Sequence, residues 1–99
     1  MTINEIKNDG RLILELTGRL DSSNANELDK TIAEIPDNTK NLVFDLNGLD
    51  YISSAGLRSM LTAQKKMSAA NGKLTVTNLN EIVREIFEVT GFSDFLNIE

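Results

Sequence analysis

The chain of 99 residues has no cysteine and no histidine. Without cysteine there are neither disulfides nor thiolate metal sites, so redox usage does not decide the compartment and merely agrees with cytosol. Without histidine a Ser-His-Asp arrangement cannot be built, and Ser53-Ser54-Ala55-Gly56 is not the Gly-x-Ser-x-Gly elbow of hydrolases. Neither a Gly-x-x-x-x-Gly-Lys loop nor a Gly-x-Gly-x-x-Gly turn occurs, which leaves a nucleotide-handling enzyme without a phosphate cradle. No basic cluster exceeds Lys65-Lys66, and 15 acidic against 10 basic residues give a net charge of −5, so the electrostatic footprint of a nucleic-acid binder is missing. Apolar runs stay far short of the roughly 20 residues of a membrane span, and Met1-Thr2-Ile3-Asn4-Glu5 lacks the basic flank and apolar centre of a secretory signal. Together these absences predict a cytoplasmic, non-enzymatic protein with no cofactor, no metal, no nucleic-acid partner and no membrane partner.

What is present fits one domain spanning residues 1–99. Hydrophobic residues make up 40% and charged residues 25%, an ordinary globular composition. A chain this short buries one core and has little scaffold to spare for a deep catalytic cleft, which favours a binding module. Its acidic balance suits a protein partner and also serves plain solubility.

The stretch from Leu42 to Gly56 organises the rest. Leu42, Val43, Phe44 and Leu46 form a nearly continuous apolar run, which predicts a central strand covered on both faces. Asn47-Gly48 reads as a turn, after which Leu49, Tyr51 and Ile52 return to apolar surface. From Leu57 the period becomes helical, with Leu57, Met60, Leu61 and Met67 on one stripe. Ser53 and Ser54 therefore sit where strand becomes helix. There a hydroxyl can cap the amides of the first turn, and an anion would meet free N–H groups and the positive end of the helix dipole. Spacing alone leaves both readings open.

Ahead of this stretch, Ile3 and Ile6 belong to a first strand that Asn8-Asp9-Gly10 joins as a hairpin to a second, Arg11 to Thr17, with Leu12, Leu14 and Leu16 on one face. Asp21-Ser22-Ser23-Asn24 is a run of N-cap residues, and Ala25, Leu28, Ile32 and Ile35 repeat at helical spacing until Pro36 stops the helix. Asn24 with Glu27 three residues on resembles a capping box. Helix two is predicted from about Ala55 to Ala70, ended by Asn71-Gly72 before a strand over Lys73 to Thr77. Asn78 is expected to cap a third helix that buries Leu79, Ile82, Val83, Ile86 and Phe87, pairs Arg84 with Glu88, and stops at Gly91. Phe92, Phe95, Leu96 and Ile98 tie down the C-terminus, either as a short helix followed by a short strand or as an apolar clasp.

This order predicts an α/β fold: a mixed sheet of about four strands, with an N-terminal hairpin and three to four helices. Sites in such sheets form at the carboxyl ends of strands, which is where Asp21 and Ser54 both emerge. Asp21 reads as a helix cap or as a recognition group, and Asp45, inside the apolar run, as a partly buried carboxylate tying down a neighbouring loop.

Asp50-Tyr51-Ile52-Ser53-Ser54-Ala55-Gly56-Leu57 resembles the phosphorylation motif of the STAS-domain family, the bacterial anti-sigma factor antagonists. The resemblance extends to Gly18-Arg19-Leu20-Asp21, to the Leu42 to Leu46 strand and to Thr90-Gly91-Phe92-Ser93-Asp94, and so covers nearly the whole chain. One departure is Ser53, where well-studied members carry aspartate and many relatives carry serine. The resemblance implies that Ser54 accepts phosphate from an anti-sigma factor serine kinase and that a PP2C-type phosphatase removes it. It also implies a partner-binding surface containing Asp21, Ser53, Ser54, Gly56 and Arg58, on a monomer or weak dimer. Unphosphorylated, such a module sequesters the kinase and frees a sigma factor. The alternative within the family is an unphosphorylated scaffold or accessory subunit of a transporter or sensory complex.

Overall fold

Asp9 and Gly10 both take left-handed backbone, with φ of +43° and +80°, and close the expected hairpin between β1 (Thr2–Asn8) and β2 (Arg11–Leu20). The computed structural model describes all 99 residues. After β2 it continues through α1 (Ala25–Ala33), β3 (Asn41–Ile52), α2 (Ser54–Ala69), β4 (Lys73–Thr77), α3 (Glu81–Val89), a 3-10 turn (Phe92–Asp94) and β5 (Asn97–Ile98). The strands lie in the order β1-β2-β3-β4-β5, antiparallel at the first pair and parallel thereafter.

Alternation puts Leu12, Leu14 and Leu16 of β2, Leu42, Phe44 and Leu46 of β3, and Leu74 and Val76 of β4 on one side of the sheet. There they form a single cluster with Leu28 and Ile32 of α1, Met60, Ala63 and Met67 of α2, and Val83 and Phe87 of α3. The expectation that β3 is covered on both faces holds for burial but not for helices, which pack on one face only. Neighbouring strands follow chain order, so every parallel crossover steps the same way, and crossovers of one hand then deliver all three helices to one side. Val43 belongs to the apolar run but lies outside the cluster, in a row with Ile6, Ile13 and Thr75 on the face without helices, where it is nonetheless only 8% exposed.

The sheet has five strands rather than about four. β5 pairs with Thr75 and Val76, and the Glu99 amide donates to the Val76 carbonyl at 2.9 Å, so the C-terminus is the short helical turn followed by a strand. Asn47-Gly48 is not a turn. β3 runs straight through it, and the register with β2 slips twice: Glu15 to Thr17 faces Asp45 to Gly48, and Gly18 to Arg19 faces Leu49 to Tyr51. These bulges space the buried Leu46, Leu49 and Ile52 three residues apart, which hides the two-residue period of a strand.

Three helix-cap expectations also change. The Asn24 side chain accepts from the Asp21 amide at 3.0 Å and donates to the Arg19 carbonyl at 2.8 Å, so it ties the β2–α1 connection and forms no capping box. The cap of α3 is Asn80, whose Oδ1 accepts from the Val83 amide at 2.8 Å while its Nδ2 holds the Leu49 carbonyl at 3.0 Å. Asn78 instead takes a left-handed φ of +59° and donates to Asp45, which also accepts from the Asn47 amide; Asp45 is thus a loop-tying carboxylate. Val83 and Phe87 of α3 are buried and Leu79 and Ile86 pack half-buried against the same core, but Ile82 is exposed and no ion pair joins Arg84 to Glu88.

Candidate functional site

β2 and β3 finish side by side. Leu20 pairs with Ile52, and the Ser53 amide donates to the Leu20 carbonyl at 2.9 Å, so Asp21 and Ser53 leave the carboxyl edge of the sheet as neighbours. Ser53 is extended (φ −97°, ψ 178°) and occupies the N-cap of α2, whose first backbone bond runs from the Leu57 amide to the Ser53 carbonyl at 3.0 Å. The amides of Ser54, Ala55 and Gly56 precede that bond and receive no side-chain cap, so this end keeps its positive partial charge for an incoming anion. Of the two readings open to the hydroxyls, capping is therefore not made. The Ser53 hydroxyl is buried without a partner, whereas Ser54, one residue on, is exposed.

Asp21 organises the loop rather than capping α1. Its Oδ1 accepts from the Ser23 hydroxyl and, at 2.9 Å, from the Ser23 amide, while its carbonyl accepts from the amides of Asn24 and Ala25. The two Ser23 donors, with smaller help from the charges of Arg19 and the N-terminus, hold the Asp21 carboxyl below the usual aspartate value. Its Oδ2 lies 4.0 Å from Arg19 Nε, and that guanidinium sits 4.5 Å over the Tyr51 ring. An anionic carboxylate with its second oxygen turned to an exposed arginine thus stands beside the serine pair.

Gly56 is buried. A Cβ there would come within 2.7 Å of Ile52 Cγ1 and Leu20 Cγ, so glycine lets α2 press against the ends of β2 and β3. This packing role differs from the surface role that the resemblance implies. Arg58 is exposed and, with Ser22, Asn26, Asp29, Ser59 and Thr62, lines a shallow groove between α1 and the start of α2. At its floor Ser59, 2% exposed, donates its hydroxyl to Asp29 at 2.6 Å and to the Ala55 carbonyl at 3.3 Å. Sequence reasoning missed Ser59 and Asp29, because only a hydroxyl on the otherwise apolar stripe of α2 hints at a polar partner. The structure thus gathers Asp21, Ser53, Ser54 and Arg58 at one edge and assigns Gly56 to the packing beneath them.

Residues 2–99 match the STAS domain family. A Bordetella bronchiseptica protein provisionally named anti-sigma factor antagonist BtrV is 42% identical over 87 residues, covering 87% of this chain and 75% of that protein. The anti-sigma-B factor antagonist of Bacillus subtilis is 26% identical over 92 residues, covering 93% of this chain and 84% of its own. A Thermotoga maritima crystal structure, provisionally named an anti-sigma factor antagonist, superposes with a TM-score of 0.89 at 20% identity, over 97% of this chain and 84% of that one. The match runs from the first strand to the last and takes in the serine junction, the Asp21 loop and the five-stranded sheet: the chain belongs to the STAS-domain family.

Proposed function

We propose that this protein is an anti-sigma factor antagonist, a binding module that holds an anti-sigma factor kinase while Ser54 is unphosphorylated and releases it when Ser54 carries phosphate. It is the substrate of that kinase and of a PP2C-type phosphatase, not an enzyme itself. The observation that carries this reading is the exposed Ser54 at the first residue of α2, next to uncapped amides and the Asp21 loop. The name of the 42%-identical relative points the same way. A phosphate on Ser54 adds roughly −1.5 to −2 charge at neutral pH, favourably placed for the helix and unfavourably for a partner docked against Asp21.

The acceptor is Ser54 and not Ser53, because the Ser53 hydroxyl is buried whereas Ser54 is open to a kinase. Incubation with the anti-sigma factor kinase of the same genome and ATP, followed by peptide mapping, tests this. Phosphate on Ser54 supports the assignment; phosphate mainly on Ser53 moves the acceptor, and none at all favours an unphosphorylated scaffold.

A further inference from the structure

Three of the four large apolar side chains exposed on this protein fall between residues 82 and 95: Ile82 at 59%, Val89 at 76% and Phe95 at 62%. On a helix turning about 100° per residue, Val83 and Phe87 mark the side of α3 that faces the core. Ile82, Ile86 and Val89 recur at i, i+4 and i+7 on the adjoining flank, and Glu81, Glu85 and Glu88 line up beyond them. The 3-10 turn packs against α3, and its Phe92, half-buried against the core, meets Phe95 edge to face at 6.2 Å, so the exposed Phe95 adds aromatic surface past the helix end. Ile86 leans half-buried against the core, whereas Ile82 and Val89 stay exposed, so the outer edge of this flank is left bare by the fold.

The charge around the strip selects its occupant. Three glutamates against the single Arg84 make this helix acidic, on a chain whose net charge is −5. A second copy would bring those glutamates into register with their own kind, and anionic lipid or nucleic acid would be repelled. We infer that α3 and the turn after it form a docking strip for a partner protein's basic amphipathic helix. Its apolar side covers Ile82, Val89 and Phe95, and its lysines or arginines face Glu81, Glu85 and Glu88. None of these residues lines the groove beside Ser54, so the strip stands or falls separately from the phosphorylation switch.

The test is an NMR titration of the 15N-labelled full chain with two synthetic helices of about 18 residues that share one leucine stripe. One is flanked by lysine and the other by glutamate. The lysine peptide should bind saturably, shift amides of α3 and residues 92–95, and weaken steeply as salt shortens the Debye length from about 10 Å to about 3 Å. Val89→Lys, at a helix C-terminus where a cation is favourable, and Phe95→Ser should each weaken it at least about tenfold while the remaining spectrum is unchanged. Equal binding of both peptides, shifts centred elsewhere, or no saturable binding would overturn the inference. Self-association abolished by Val89→Lys would overturn it too, by giving the strip to a second copy.

Discussion

At the scale of single residues, two adjacent serines differ in what the backbone does with them. Ser53 spends its position on extended geometry and points its hydroxyl inward, while Ser54 begins the helix and faces solvent. Asp21 and Gly56 frame the pair, and each has a measurable signature. The Asp21 carboxyl titrates below the ordinary 3.8 because folding supplies the Ser23 donors. A depressed folded-state value means that its contribution is present above the unfolded value and is lost as pH falls through the folded one. Melting temperatures followed from neutral pH down through the region below about pH 4 should therefore fall less steeply for Asp21→Asn than for the parent. Identical acid limbs would show that the Ser23 bonds do not persist in solution. At Gly56 an added methyl meets Ile52 and Leu20, and overpacking of about 1 to 3 kcal/mol outweighs the up to about 1 kcal/mol that alanine gains over glycine in a helix. Gly56→Ala should lower the melting temperature by several degrees, and a rise would mean that α2 sits further from the sheet.

At the scale of elements, legibility in the sequence depended on whether local chemistry or the whole sheet decided the outcome. The hairpin, the serine junction and the helix stop at Asn71 were readable because Asp-Gly, N-cap residues and left-handed asparagine act over a few bonds. β3 was half legible: its apolar run marks a strand, but the face that Val43 occupies follows from the order of the other strands. Its bulges likewise exist only against β2. In α3 the apolar arc is wider than the core it meets, so Ile82 was assigned inward and lies outward. Two asparagines before that helix look alike in sequence and do different work, which substitution separates. Asn80→Ala should cost about 1 kcal/mol or somewhat more, since it removes the Val83 cap and the Leu49 carbonyl's donor together. Asn78→Gly should cost little, because glycine takes the left-handed backbone freely and only an exposed bond to Asp45 is lost. Chemical denaturation of both variants checks the order, and a larger loss for Asn78→Gly would return the cap to the position that sequence suggested.

At the scale of the whole molecule, the sheet leaves one face without helices, gathers them on the other, and brings the Asp21 loop and α2 together at one carboxyl edge. On the proposed function a phosphate placed there acts on the interface and not on the fold. A dianion at the start of α2 is worth about 0.3 to 1 kcal/mol to the helix, so the phosphorylated chain should melt at the same temperature or a few degrees higher. The most direct measurement is isothermal titration of the anti-sigma factor kinase with two preparations, one unmodified and one carrying phosphoserine at position 54, each with its melting curve. The account predicts tight binding of the first and a loss of at least about 100-fold, some 2.7 kcal/mol, for the second, at an undiminished melting temperature. Equal affinities, or a loss of affinity accompanied by early melting of the phosphorylated chain, would contradict it.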